Sequence, residues 1–201
     1  MSVMKWLALA AIIAGAFAAG LQVSRQKAAI ASRIGGAQNP ASSGKDGVSD
    51  LKSSVELKRA LGEVFAKHAG GDRLLAFVEL LNRTPVSQLG ELIGQLQFCP
   101  YPDERAEFLK LAYAKWTLAE PQAALANAEA ASLHAGKLDP LPLVFETWAG
   151  TNPQAALAAA RQLANLVYRT KEINAVLDIW VTSNQMAALA ALKALHTGQG
   201  D

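Results

Sequence analysis

Apolar positions along this chain repeat at helical spacing from Leu51 to Leu195, and no segment shows the two-residue alternation of a half-buried strand. Leu109, Tyr113 and Trp116 step by four and then three, as do Leu141, Phe145 and Trp148, and Ile173, Leu177 and Trp180. Each trio therefore lies on one helix face. After each Trp the pattern breaks and a new helix begins. Asn152 and Asn184 are good N-caps, because a side-chain oxygen can accept an orphan backbone N–H. Pro121 and Pro153 occupy the first helical position, where the missing N–H costs nothing. Glu120 is a poorer cap, and Gln185 stands where the last copy would have proline. The pattern predicts a helix from Ser49 to about His68, stopped by Gly70-Gly71. Helix pairs follow at 73–83 and 85–97, 103–119 and 121–135, 140–150 and 153–166, and 169–183 and 185–197.

These pairs are copies of one unit. Trp116-Thr-Leu-Ala-Glu-Pro-Gln-Ala-Ala-Leu125 recurs as Trp148-Ala-Gly-Thr-Asn-Pro-Gln-Ala-Ala-Leu157 and Trp180-Val-Thr-Ser-Asn-Gln-Met-Ala-Ala-Leu189, at an interval of 32 residues (148 − 116 and 180 − 148). A fixed period of this size marks stacked supersecondary units. Leu80 to Leu89 is a weaker fourth copy, whose Pro85 precedes Pro121 by 36 residues (121 − 85). The slip of four is placed at Phe98-Cys-Pro-Tyr-Pro102. The second helix of each unit is rich in alanine, a flat surface on which a Trp from a neighbouring helix can pack. Trp116, Trp148 and Trp180, with Pro121 and Pro153, are read as the structural core of the repeat, the other reading of the tryptophans being an aromatic ligand platform. Burying one Trp contributes on the order of 3 kcal/mol.

The pattern over roughly Asp72 to His196 resembles a tetratricopeptide-like α-solenoid, with a 32-residue period and without the W-x2-L-G-x2-Y start. It is similar to the short tandem Trp/Pro helix-hairpin repeats of uncharacterised membrane-anchored bacterial proteins. That resemblance implies an all-α, right-handed solenoid of helix hairpins and a role in protein interaction, with no partner identified. Helix 49–69 would be the N-terminal cap, followed by hairpin units 72–98, 103–135, 139–166 and 169–197.

Ahead of this domain the pattern changes. After Lys5 the run Trp6 to Ser24 carries no charge, and nineteen residues at about 1.5 Å each nearly cross a hydrocarbon core of about 30 Å. Residues 1–23 are therefore either a transmembrane anchor or a cleaved export signal, with small residues around Phe17 for a cleavage site. Residues 24–48, with Gly35-Gly36, Asn39-Pro40 and Ser42-Ser43-Gly44, read as a flexible linker. The repeat domain is expected outside the inner membrane, although Arg25, Lys27 and Arg33 after the run argue for the opposite orientation. Hydrophobic residues form 51% of the 201 and charged residues 18%. The net charge of +2 belongs to the N-terminal tail: residues 1–48 hold five basic and one acidic residue, leaving 14 basic and 16 acidic for residues 49–201. A nucleic-acid footprint is not expected.

Candidate chemistry is sparse. His68, His134 and His196 stand near the ends of predicted helices without a second ligand at metal spacing. Cys99 is the single cysteine, so no intrachain disulfide can form. Nucleotide-binding glycine loops and a nucleophile elbow are absent from the sequence. No catalytic residue, metal or cofactor is assigned. The leading expectation is a membrane-tethered or exported interaction module. The alternative is an α-helical cell-envelope hydrolase using surface carboxylates. On the first helices, Lys110, Lys115, Glu146, Thr147, Asn174 and Asp178 lie off the Trp stripe and are the candidate partner-binding residues. On the last helix Met186, Leu189 and Leu192 are expected to pack inwards, leaving an alanine face for self-association or docking. The anchor reading has a direct test. Intact-mass analysis should return a membrane-bound chain that retains residues 6–23, whereas a soluble protein starting near Ala19 would establish export.

Overall fold

The computed structural model describes residues 53–132 and 139–197. The N-terminal anchor and linker expectations, and His134, lie outside the described residues. Those residues are all-helical, with no strand. They belong to one compact unit, Gly47–Asp201. Nine α-helices follow in order: α1 Ser54–Phe65, α2 Gly71–Arg83, α3 Leu89–Leu96 after a 3-10 turn at Val86–Gln88, α4 Pro102–Ala119, α5 Pro121–Ser132, α6 Leu141–Thr151, α7 Pro153–Gln162, α8 Leu166–Ser183 and α9 Gln185–Thr197. Among the described residues no helix is long and apolar enough to cross a membrane.

One junction is built three times. A single residue separates α4 from α5 (Glu120), α6 from α7 (Asn152) and α8 from α9 (Asn184). All three share one extended conformation, with φ from −141° to −154° and ψ from 74° to 86°. Their N–H groups donate to the carbonyls of Trp116, Trp148 and Trp180 at 2.7–2.8 Å. A residue before proline is pushed out of the α region, so the first helix ends where the second must begin. Asn152 Oδ1 accepts from the Ala155 N–H at 3.1 Å and Asn184 Oδ1 from the Ala187 N–H at 3.0 Å. Glu120 directs its carboxylate to Trp116 Nε1 instead, at 3.4 Å.

Boundaries differ from expectation where caps were misread. α1 starts at Ser54, because Ser53 Oγ accepts from the Glu56 N–H at 3.2 Å, half of a capping box. α7 stops at Gln162 instead of 166. Asn165 Oδ1 accepts from the N–H groups of Val167 and Tyr168, so α8 starts at Leu166, three residues before its predicted start. The four-residue slip of the fourth copy also has its reason. α2 has 13 residues against 18 in α4 and α8, one turn fewer, and the extra residues reappear around α3.

Packing follows chain order. α5, α7 and α9 each touch the first helix of their own unit, α3, α5 and α7 touch that of the next, and α2, α4, α6 and α8 pack in succession on one another. Phe77 of α2 stacks on Phe108 of α4 with ring centroids 4.3 Å apart. Trp148 and Trp180 are buried, whereas Trp116 is only half-buried. The Trp116 ring rests on α3 at Gly90, where a Cβ would come within 3.0 Å of Cη2. The flat surface beneath this Trp belongs to the preceding unit, so the tryptophan links units as well as filling a core. Gly70 opens α2 at φ 90°, a conformation that favours glycine.

Trp148 lies against Phe145, with centroids 6.5 Å apart. Trp148→Ala should cost about 3–5 kcal/mol by leaving a cavity between α6 and its neighbours. Denaturant unfolding measures it, and a loss under about 1 kcal/mol would contradict the burial described.

Candidate interaction surfaces

The strip of partner-binding candidates is split by the structure. Glu146, Asn174 and Asp178 are exposed on α6 and α8. Lys110 on α4 is half-buried, with its ammonium 2.8 Å from Glu107 Oε1. Thr147 is half-buried and its hydroxyl donates to the Leu143 carbonyl at 2.9 Å, a bond internal to α6. Lys115 is not on the surface. It is buried, and its ammonium donates to the carbonyls of Leu81 at 2.5 Å and Thr84 at 2.7 Å. The carbonyls at the C-terminal end of α2 carry the negative end of its dipole, and that of Leu81 also accepts from the Thr84 N–H at 3.2 Å. They are therefore a natural sink for a buried ammonium, and Lys115 holds α4 on α2.

A second set of cations was passed over in the sequence. Arg73 is buried beneath Tyr101, its guanidinium carbon 3.7 Å from the ring centroid. It donates to the Lys67 carbonyl and, at 2.5 Å, to Glu104 Oε2. That hydrogen bond holds the Glu104 carboxyl below its ordinary range. Arg105 donates to the Gln97 carbonyl and Arg169 to the Leu163 carbonyl. Arg73, Arg105 and Arg169 fall on the same 32-residue grid (105 − 73, and twice that for 169 − 105). Each ties the start of a first helix to the chain that ends the preceding one. The signal was the interval itself, applied to arginine as it had been to tryptophan.

Glu172, in the first turns of α8, is the least expected residue. It is 0% exposed, and neither carboxylate oxygen has a hydrogen-bond partner. Lys171 Nζ lies 3.8 Å from Oε1 and 3.5 Å from Asp139 Oδ2. Burial, with smaller contributions from the charges of Asp139 and Glu146, pushes the Glu172 carboxyl up to about 7, and Lys171 opposes the shift. One and two repeats earlier the equivalent positions are Pro140 and Phe108, both buried. Glu172 thus occupies an apolar position of the repeat. Among the described residues no group of three or more His, Cys, Asp or Glu is placed to hold a metal ion. Cys99 is buried, with its sulfur 3.6 Å from the Tyr101 carbonyl oxygen.

A groove of about 200 Å3 runs between α7 and α9, floored by Trp180 and lined by Leu157, Ala158, Ala191, Ala194 and Leu195, with Arg161 and Gln154 also lining it. The register of α9 differs from expectation here. Ala188 is the buried residue, while Met186, Leu189 and Leu192 are exposed. Ala191 and Ala194, expected to face outwards, line the groove. Ala191, Ala194 and Leu195 face Trp180 across the groove, while Leu189 and Leu192 are exposed.

Glu172 sets a pH dependence. Its folded-state pKa lies above the usual carboxyl value near 4.3, so the folded chain holds this proton where the unfolded chain has released it. Stability from this group is complete below about pH 4 and is lost as pH rises through about 7. Glu172→Met should stabilise the protein by about 1–3 kcal/mol at pH 8 and have little effect at pH 4. Urea unfolding at both pH values reads this, and equal effects would mean that the carboxyl is not buried. As to relatives, no protein-family model matches this chain, and no curated protein or solved structure is significantly similar to it, so its function is argued from geometry.

Proposed function

We propose that this chain is a helical-repeat interaction module: a right-handed, tetratricopeptide-like solenoid, tethered to a membrane or exported through residues 1–23 and lying outside the inner membrane. The observation that carries the reading is the succession of first helices. Because α4, α6 and α8 pack side by side, residues at equivalent positions come into line. Lys110, Pro142 and Asn174 are equivalent positions at the 32-residue interval, as are Ala114, Glu146 and Asp178. Such a row is a ready contact strip for an extended or helical segment of a partner protein. The burial of Lys115 narrows the strip to Lys110, Glu146, Thr147, Asn174 and Asp178.

The hydrolase alternative needs two facing carboxylates that a substrate can reach. Glu172, the carboxyl with the most displaced pKa, is fully buried, and this favours the interaction reading. The test is a crosslinking pull-down from native membranes, comparing the natural chain with Glu146→Ala/Asn174→Ala/Asp178→Ala. All three positions are exposed, so the fold should be kept. A specific partner should be recovered with the natural chain and reduced at least fivefold with the triple variant. Equal recovery by both would remove the strip from the interface.

A further inference from the structure

Glu172 stands where an earlier copy of the repeat places an aromatic ring. Phe108, 64 residues before it (172 − 108), joins two first helices by stacking on Phe77 of the preceding one. Glu172 is turned towards the preceding first helix in the same way. The carboxylates that act on it are Asp139, two residues ahead of α6, and Glu146 on α6. An aromatic joint is indifferent to pH, and a carboxyl is not.

Among the described residues Lys171 is the cation that acts on Glu172. Its Nζ lies 3.8 Å from Glu172 Oε1 and 3.5 Å from Asp139 Oδ2. Asp139 is itself a junction. Its Oδ1 accepts from the Ser132 hydroxyl at the end of α5, at 2.7 Å, and from the Leu141 N–H at the start of α6, at 3.1 Å. Through Asp139, therefore, Lys171 braces α8 against the α5–α6 connection. While Glu172 is protonated, the charges of Lys171 and Asp139 balance. Once it is ionised, one ammonium faces two carboxylates, and the buried one has no hydrogen bond.

A buried charge needs partners. Lys115 and Arg73 have backbone carbonyls, whereas an ionised Glu172 must take its donors from water. The other helices packed on α8 carry Arg161 on α7, and Lys193 and His196 on α9. Neither Arg161 nor Lys193 contributes to the shift of the carboxyl. On α8 itself stand Tyr168, Asp178 and Arg169, the last bonded to the Leu163 carbonyl. His134 and Lys137 lie outside the described residues. We propose that the joint between α6 and α8 is a proton-operated switch. It is closed, with Lys171 bracing Asp139, while Glu172 carries its proton, and it opens at the first turns of α8 when that proton leaves.

The direction follows from burial. The closed joint keeps the proton that a hydrated Glu172 releases near pH 4, so opening grows as pH rises from about 4 to about 7. Asn174 and Asp178 are on α8 and Glu146 is on α6, so opening parts the candidate contact strip. That consequence rests on the interaction reading, and the switch itself does not.

Hydrogen exchange of the full-length chain in detergent, read by mass spectrometry at about pH 5 and about pH 7.5 and corrected for intrinsic exchange, tests the switch. Protection of residues 166–176 should fall at least tenfold between the two conditions, and that of α4 should fall less. Glu172→Gln, which keeps the shape of the protonated acid, should stay protected at both. Glu172→Met serves as a second neutral variant. The proposal is overturned by equal protection of residues 166–176 at both pH values. An equal fall in α4, which would mean unfolding of the whole chain, also overturns it. So does the same fall in the neutral variants, which would assign the titration to a histidine. None of these readings needs a partner, so the switch and the contact strip fail separately.

Discussion

The structure depends on a one-residue hinge. Glu120, Asn152 and Asn184 each join two helices with no other spacer, in the same backbone conformation and with the same hydrogen bond back to a Trp carbonyl. With a linker this short, the angle between the two helices follows from two dihedrals. The proline after the hinge restricts one of them in two of the three copies. In the third, Asn184 with Gln185 reaches the same dihedrals without proline, so the cap and the packing around Trp180 are sufficient. The three hairpins thus share one junction geometry although their helices differ in length.

Stacking also joins units through buried polar groups. Lys115 ends in the carbonyls that close α2, and Arg73, Arg105 and Arg169 each reach back to a carbonyl of the preceding segment. Lys115 and Arg73 are buried, and their hydrogen bonds to these carbonyls leave neither charge unpaired. Glu172 lacks that compensation. Its position holds Phe108 and Pro140 in earlier copies, and the carboxyl is held there at the cost of a raised affinity for a proton. Among the described residues it is the buried carboxylate left without a hydrogen-bond partner.

The two ends of the array are treated differently. At the N-terminal end α1 supplies a helix that is not part of a Trp/Pro unit and covers α2 and α3. At the C-terminal end the final hairpin retains, and even enlarges, the apolar residues that inner copies use to receive a neighbour. Glu146, Asn174 and Asp178 are polar and exposed.

The sequence by itself determined the helices and their period. Tryptophan, proline and asparagine at fixed intervals specify caps and breaks, which are local matters of backbone hydrogen bonding and proline sterics, so Pro121, Pro153, Asn152 and Asn184 were legible. Asn165 was not read, because a cap without proline or glycine beside it resembles any asparagine in a polar stretch. Which face of each helix is covered was decided by the tertiary structure. Lys115 and Asp178 both lie off the Trp stripe, yet one is buried and the other exposed, because only Lys115 stands opposite the C-terminal carbonyls of a preceding helix. Leu189 and Leu157 occupy the same place in the repeat, yet Leu157 is buried on a helix that packs against α8 while Leu189 is exposed. Periodicity assigns a residue to a face of its own helix; what lies across from that face is set by the neighbouring units.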